Sequence, residues 1–181
     1  DDTKPADTIT GVKNNYTVKS DSKNFTLEPE GYGDITFASS NSKVAKVDPK
    51  TGKVTVKGPG IVKITISASG DDTHAAATKV ITIKVSPEKA TVKAAKSKDE
   101  KSLTISWKRD AKVSGYEIQY STDKNFKNAK TVKVGKNKTT SKTINKLKSG
   151  KKYYVRVRSY KNSGNTKLNG SWSKTKSAVA K

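Results

Sequence analysis

Leu147-Lys-Ser-Gly150-Lys-Lys-Tyr153-Tyr154-Val155-Arg156-Val157-Arg158-Ser-Tyr160 decides the fold. It reads as a tight corner followed by a long strand. Gly150 supplies the backbone freedom for the turn. Beyond it, Tyr153, Val155 and Val157 alternate with Tyr154, Arg156, Arg158 and Tyr160. A period of two puts the first set on a core face and the second on an outer face. A Tyr three residues after a Gly, opening a central strand, fits the tyrosine corner of a β-sandwich, where the hydroxyl bonds back to nearby backbone.

The rest of the chain agrees with that reading. It has 181 residues, room for one large or two small domains. Hydrophobic residues make up 31%, which is low, and suffices only if they lie on alternating strands. Val, Ile, Thr and Tyr dominate the periodic segments and no segment shows a 3.6 period, so the chain is expected to be all-β. Cys and Met are both absent. The first fits a cytosolic protein or a secreted bacterial one; the second is expected of a segment of a larger protein. No apolar run approaches the roughly 20 residues that span a bilayer, so no membrane insertion by this segment is expected. Charge divides the chain. Residues 1–86 carry 12 Lys and 10 Asp+Glu, a net of +2, whereas residues 87–181 carry 26 Lys+Arg and 6 Asp+Glu, a net of +20.

Residues 1–7 are polar and are expected to form a disordered lead-in. Ile9-Thr-Gly-Val12 and Asn15-Tyr-Thr-Val18 read as short strands, followed by Phe25 and Leu27, then Ile35-Thr-Phe37. Asp48-Pro-Lys-Thr-Gly52 is strong turn chemistry. Lys53-Val-Thr-Val-Lys57, then Val62, Ile64 and Ile66, then Ile81, Ile83 and Val85 alternate cleanly. Ser39-Ser-Asn41, Val44-Ala-x-Val47-Asp48, Gly52-Lys-Val-Thr, Gly60 and Ile64-Thr-Ile-Ser-Ala68 together resemble the bacterial Ig-like group 2 pattern over residues 8–86. The resemblance implies an Ig-like sandwich of secreted and surface proteins of bacteria.

Residues 87–90 form the expected linker, in which Pro87 pre-sets one φ and restricts Ser86 to extended conformations. Residues 91–181 follow. Leu103, Ile105 and Trp107 alternate as a strand ending in a core Trp. Gly115-Tyr116-Glu-Ile118-Gln-Tyr120-Ser121 is the next. Trp107, Tyr116, Leu147, Gly150 and Tyr153 are the structural residues of a plan that resembles the fibronectin type III domain, with Ser149 where the corner usually has Pro. The loop expected at residues 161–170 corresponds to the integrin-recognition loop of some members, but contains no Arg-Gly-Asp. The expected architecture is two tandem Ig-like β-sandwiches, bacterial Ig-like group 2 then fibronectin type III. The combination resembles cell-surface proteins of Gram-positive gut Firmicutes.

The search for chemistry gives little. His74 is the only histidine and cannot by itself make a zinc site. Asp34, Asp71 and Asp72 are candidates for calcium, but no calcium-loop spacing is present, and whether an ion binds near Asp71/Asp72 stays open. One loop histidine supports no Ser/His/Asp set, the acids are scattered over turns, and no phosphate-binding glycine loop occurs. No catalytic site, metal site or cofactor is expected. The lysines are dispersed and carry no nucleic-acid module signature, so no specific nucleic acid is expected.

A solvated surface without a specific partner, keeping copies soluble and mutually repelled, fits the basic half best, and an anionic wall polymer or glycan comes next. Tyr154, Tyr160 and Trp172 could instead form a sugar platform. Against that, strand parity places Arg156 and Arg158 about 6.6 Å apart on the outer face, a gap that suits the indole of Trp172. Ser171-Trp172-Ser173 resembles half of the motif in which cytokine-receptor tryptophans interleave with arginines. Of only three arginines in the chain, two are these. The expected function is a non-catalytic stalk or spacer, extracellular, secreted or attached to the bacterial surface, and monomeric, serving other domains of the same parent chain. The alternative is a carbohydrate-binding accessory module of a polysaccharide-degrading enzyme.

Overall fold

The structure is a computed structural model that describes residues 4–181. It divides into two compact units, Asp1–Ser86 and Pro87–Lys181. Both are all-β, and no helix occurs among the described residues.

The first unit holds β1 (Asn15–Lys19), β2 (Phe25–Thr26), β3 (Ile35–Ser39), β4 (Ala45–Val47), β5 (Lys53–Val56), β6 (Gly60–Ala68) and β7 (Ala77–Ser86). One sheet runs β1-β7-β6-β3 and the other β2-β5-β4. β1 lies parallel to β7, while the remaining pairs are antiparallel. The alternation seen in the sequence builds the core. Val62 faces Ile83 and Ile64 faces Ile81 across β6 and β7. These four are almost wholly buried and share one core with Leu27, Phe37, Val47 and Val54. Asp48 Oδ1 accepts the N–H groups of Lys50 and Thr51, and Gly52 closes the turn at φ 68°.

Two expectations need correction here. Ile9-Thr-Gly-Val12 is not a strand. Gly11 takes φ 74°, which turns the chain out of the extended region, so only Thr10 pairs, as an isolated bridge with Glu30. Of the lead-in expected to be disordered, residues 1–3 lie outside the described residues, and residues 4–7 are tied down. Pro5 O accepts from Ala75 N at 3.1 Å, and Asp7 Oδ2 accepts from Tyr32 N at 3.0 Å.

The second unit holds β8 (Val92–Lys96), β9 (Leu103–Trp107), β10 (Gly115–Ser121), β11 (Lys130–Val134), β12 (Ser141–Ile144), β13 (Lys152–Ser163), β14 (Thr166–Asn169) and β15 (Lys176–Val179). One sheet runs β12-β9-β8. The other runs β11-β10-β13, with β14 and β15 sharing the far edge of β13. Residues 87–90 belong to this unit, and Glu88 O accepts from Ser159 Oγ on β13.

The corner closes as its spacing requires. Gly150 sits at φ 71° and donates its N–H to Ala180 O. Tyr153 Oη accepts the Lys148 N–H at 3.0 Å, while Leu147 is buried beside it. Trp107 and Tyr116 are both fully buried, their ring centroids 5.3 Å apart. Trp107 Nε1 is buried without an acceptor among the described residues, so the ring contributes by burial and by its contact with Tyr116. Tyr116 Oη accepts from Asp110 N at 2.8 Å. Burial pushes the Tyr116 phenol above its ordinary range. The loop expected over residues 161–170 is mostly a hairpin. β13 runs on to Ser163, Gly164 turns at φ 56°, and Thr166 pairs with Ser163.

Candidate functional site

The outer face of β10 and β13 gathers the chain's most elaborate side-chain arrangement. Register alone lines up its rows. Gln119 stands opposite Arg156, Glu117 opposite Arg158, and Gly115 opposite Tyr160. On the far side of β10, Lys133 stands opposite Glu117. Arg156 Nε donates to Gln119 Oε1 at 2.7 Å. Arg158 Nε donates to Glu117 Oε2 at 2.8 Å, and its Nη2 lies 2.7 Å from the same oxygen. Lys167, from β14, bonds the other oxygen, Glu117 Oε1. Burial by itself would raise the Glu117 carboxyl, but the hydrogen bonds from Lys167 and Arg158 outweigh it and hold the group below the usual range.

Trp172 enters from the segment between β14 and β15. That segment completes the edge of β13 where neither strand pairs. Ser173 N donates to Val157 O at 2.8 Å, and Ser173 Oγ accepts the Val157 N–H at 3.0 Å. These bonds fix Ser173, which is buried, and Trp172 beside it lies over the outer-face arginines. Its ring centroid lies 4.8 Å from Arg156 Cζ and 4.5 Å from Arg158 Cζ. The structure thus brings Arg156, Arg158 and Trp172 together.

Reading the sequence missed a fourth member, Phe126. Its ring centroid is 4.0 Å from Arg156 Cζ. Phe126 holds φ 62°, in the left-handed region that is unusual for an aromatic residue. No periodicity signals a contact from a loop, and the only available hint was an aromatic amid the polar Asp123-Lys-Asn. The sequence also misjudged Tyr160. Its parity is outward, as expected, yet it is only 2% exposed. Gly115 opposite leaves room for the ring; a Cβ there would meet Tyr160 Oη at 2.8 Å. Lys133 and Lys167 then cover the ring at 5.3 and 4.8 Å. Tyr154 carries Lys152 at 5.5 Å. Each of the three rings considered as a sugar platform therefore already carries at least one cation.

In the first unit, His74 stacks on Tyr32 with centroids 3.5 Å apart and planes within 5°. Asp71 Oδ1 accepts from Thr73 N, Thr73 Oγ1 and His74 N, each at 2.8 Å. The Thr73 bonds lead in holding the Asp71 carboxyl down to about 2. An oxygen already accepting three hydrogen bonds is a poor cation ligand. Among the described residues no group of three His, Cys, Asp or Glu side chains could hold a metal.

Comparison with known proteins names the two units. The family model described as "Fibronectin type III domain" matches residues 86–175. The one described as "Intimin, immunoglobulin-like domain" matches residues 23–71. The chain is therefore a tandem of β-sandwiches, with an Ig-like domain followed by a fibronectin type III domain, the order read from the sequence. The curated proteins offer no match. Among solved structures, the chain is similar to the crystal structure of the FN1-FN3 domains of chicken CNTN1, at 19% identity and a TM-score of 0.47, over 82% of this chain and 57% of that one. It is also similar to a structure described as "Myokine structure", at 19% identity and a TM-score of 0.43, over 53% of this chain and all of that one. The chain thus spans little more than half the length of the first. Ig-like and fibronectin type III domains are typically non-catalytic.

Proposed function

We propose that this chain is a non-catalytic spacer of a bacterial surface or secreted protein, monomeric, whose basic second unit adheres to anionic wall polymers. The observation that carries this reading is the tandem itself, an intimin-type Ig-like match followed by a fibronectin type III match. Charge supports the adhesion, since the second unit bears nearly all of the net +22. The carboxylates at both candidate sites are engaged in holding their own loops and strands. Glu117 is paired twice, and Asp71 accepts three bonds.

The alternative, a carbohydrate-binding module, needs a bare aromatic face. Trp172, Tyr154 and Tyr160 each carry cations instead. A screen of neutral glycans in 1 M salt tests the choice, because charge attraction is screened to about 3 Å there. No reproducible neutral binder is expected. A neutral glycan held at high salt would overturn the spacer reading in favour of the alternative.

A further inference from the structure

We infer that the outer face of β13 holds a linear acidic glycopolymer along the strand, with Arg156 as the residue that grips one oxyanion of its repeat. This rests on the adhesion proposed above and names its site. Four cations share the strip, Lys133, Arg156, Arg158 and Lys167, against the single carboxylate of Glu117. The carboxylate is divided between Arg158 and Lys167. Arg156 is left with a neutral partner, Gln119, through Nε alone. Among the described residues its two Nη groups have no acceptor, and Arg156 is half-buried rather than sealed from solvent. Burial and the neighbouring Arg158 both disfavour the charge at Arg156, so an anion there would relieve a standing repulsion.

The guanidinium is also held in place. Phe126 lies at 4.0 Å and Trp172 at 4.8 Å, so the planar fork is positioned before any ligand arrives. A fork of fixed orientation takes a carboxylate or phosphate in a bidentate grip with little further loss of side-chain freedom. Tyr154 to Tyr160 spans about 20 Å along the strand, from about 3.3 Å per residue. With Lys152 over Tyr154 at one end, Arg156 and Arg158 between, and Lys133 and Lys167 over Tyr160 at the other, that is long enough for several repeats of a polyol phosphate or polyuronate to follow the cations.

The test measures binding of the whole chain at 0.1 M salt to poly(glycerol phosphate) and to polygalacturonate. The polymer bound more tightly tells phosphate from carboxylate. Arg156→Gln and Arg156→Lys are each expected to weaken binding about tenfold, the size of one lost charge-assisted bond. The lysine keeps the charge but not the fork. Lys96→Gln, on the opposite sheet, is expected to stay within about twofold.

A readout on the unaltered protein does not depend on any variant folding. With three arginines in the chain, the Nε–H resonances of Arg156 and Arg109 are separable, and Arg156 is expected to shift on adding polymer while Arg109 does not. If Arg156→Lys binds like the original and Lys96→Gln loses as much as Arg156→Gln, the charge is diffuse and the site is wrong, though adhesion stands. If the unaltered chain binds neither polymer, adhesion itself falls and the site with it. Equal binding to duplex DNA would overturn the glycopolymer assignment.

Discussion

At the scale of single residues, the outer face is held by contacts whose magnitudes are separable. Trp172 makes two cation–π contacts at a part-exposed site, each worth about 0.5–1 kcal/mol. Trp172→Ala is expected to lower unfolding free energy by about 1–2 kcal/mol in a denaturant titration; an unchanged midpoint would show the stack contributes nothing. Glu117 governs the acid limb. Its carboxyl lies below the usual value of 4.5, so its pairing with Arg158 and Lys167 stabilises above that pH and is lost as pH falls through the lowered value. Glu117→Gln is expected to flatten the part of the stability–pH curve below about pH 4.5, measured by thermal unfolding across pH. A variant with the same acid limb as the original would assign that limb to other carboxylates. Parity made Arg156, Arg158 and Trp172 legible in the sequence. Phe126 was not legible, because its left-handed φ and its reach across to Arg156 arise from how the loop closes, not from any repeat.

Among the elements, β13 shows what alternation does and does not reveal. Its inner face of Tyr153, Val155 and Val157 was readable from period two, and so was the corner that precedes it. The shielding of Tyr160 was not, since it depends on Gly115, a partner 45 positions away in sequence and directly opposite in register. β8 carries no readable alternation, because a register shift between Val92 and Ala94 breaks its pattern. The β13–β14 hairpin had a signal, the Gly164-Asn165 dipeptide, that a loop reading overlooked. Two substitutions probe these elements by thermal melts. Gly164→Ala, at φ 56°, is expected to cost about 1 kcal/mol, from the left-handed penalty. Ser173→Ala leaves the Val157 N–H without its acceptor and is expected to cost about 1–3 kcal/mol. A neutral Ser173→Ala would mean water replaces the hydroxyl there.

For the molecule as a whole, each unit has its own core, one centred on Ile64, Ile66, Ile81 and Ile83 and the other on Trp107, Tyr116, Ile118 and Val157. Fold and order were legible because strand alternation, turn residues and corner spacing are local features. The ligand was not, because the face that would meet it is assembled from β10, β11, β13, β14 and two loops. Charge separates the units more sharply than fold does, +2 against +20. The most direct measurement is therefore a salt titration of the whole chain on poly(glycerol phosphate), with a neutral β-glucan alongside. Binding is expected at 0.1 M salt, falling at least about tenfold by 1 M as the screening length drops from about 10 Å to about 3 Å, with the glucan unbound throughout. Binding that persists at 1 M salt, or retention of the neutral glucan, would contradict a charged spacer and point to a carbohydrate-binding module.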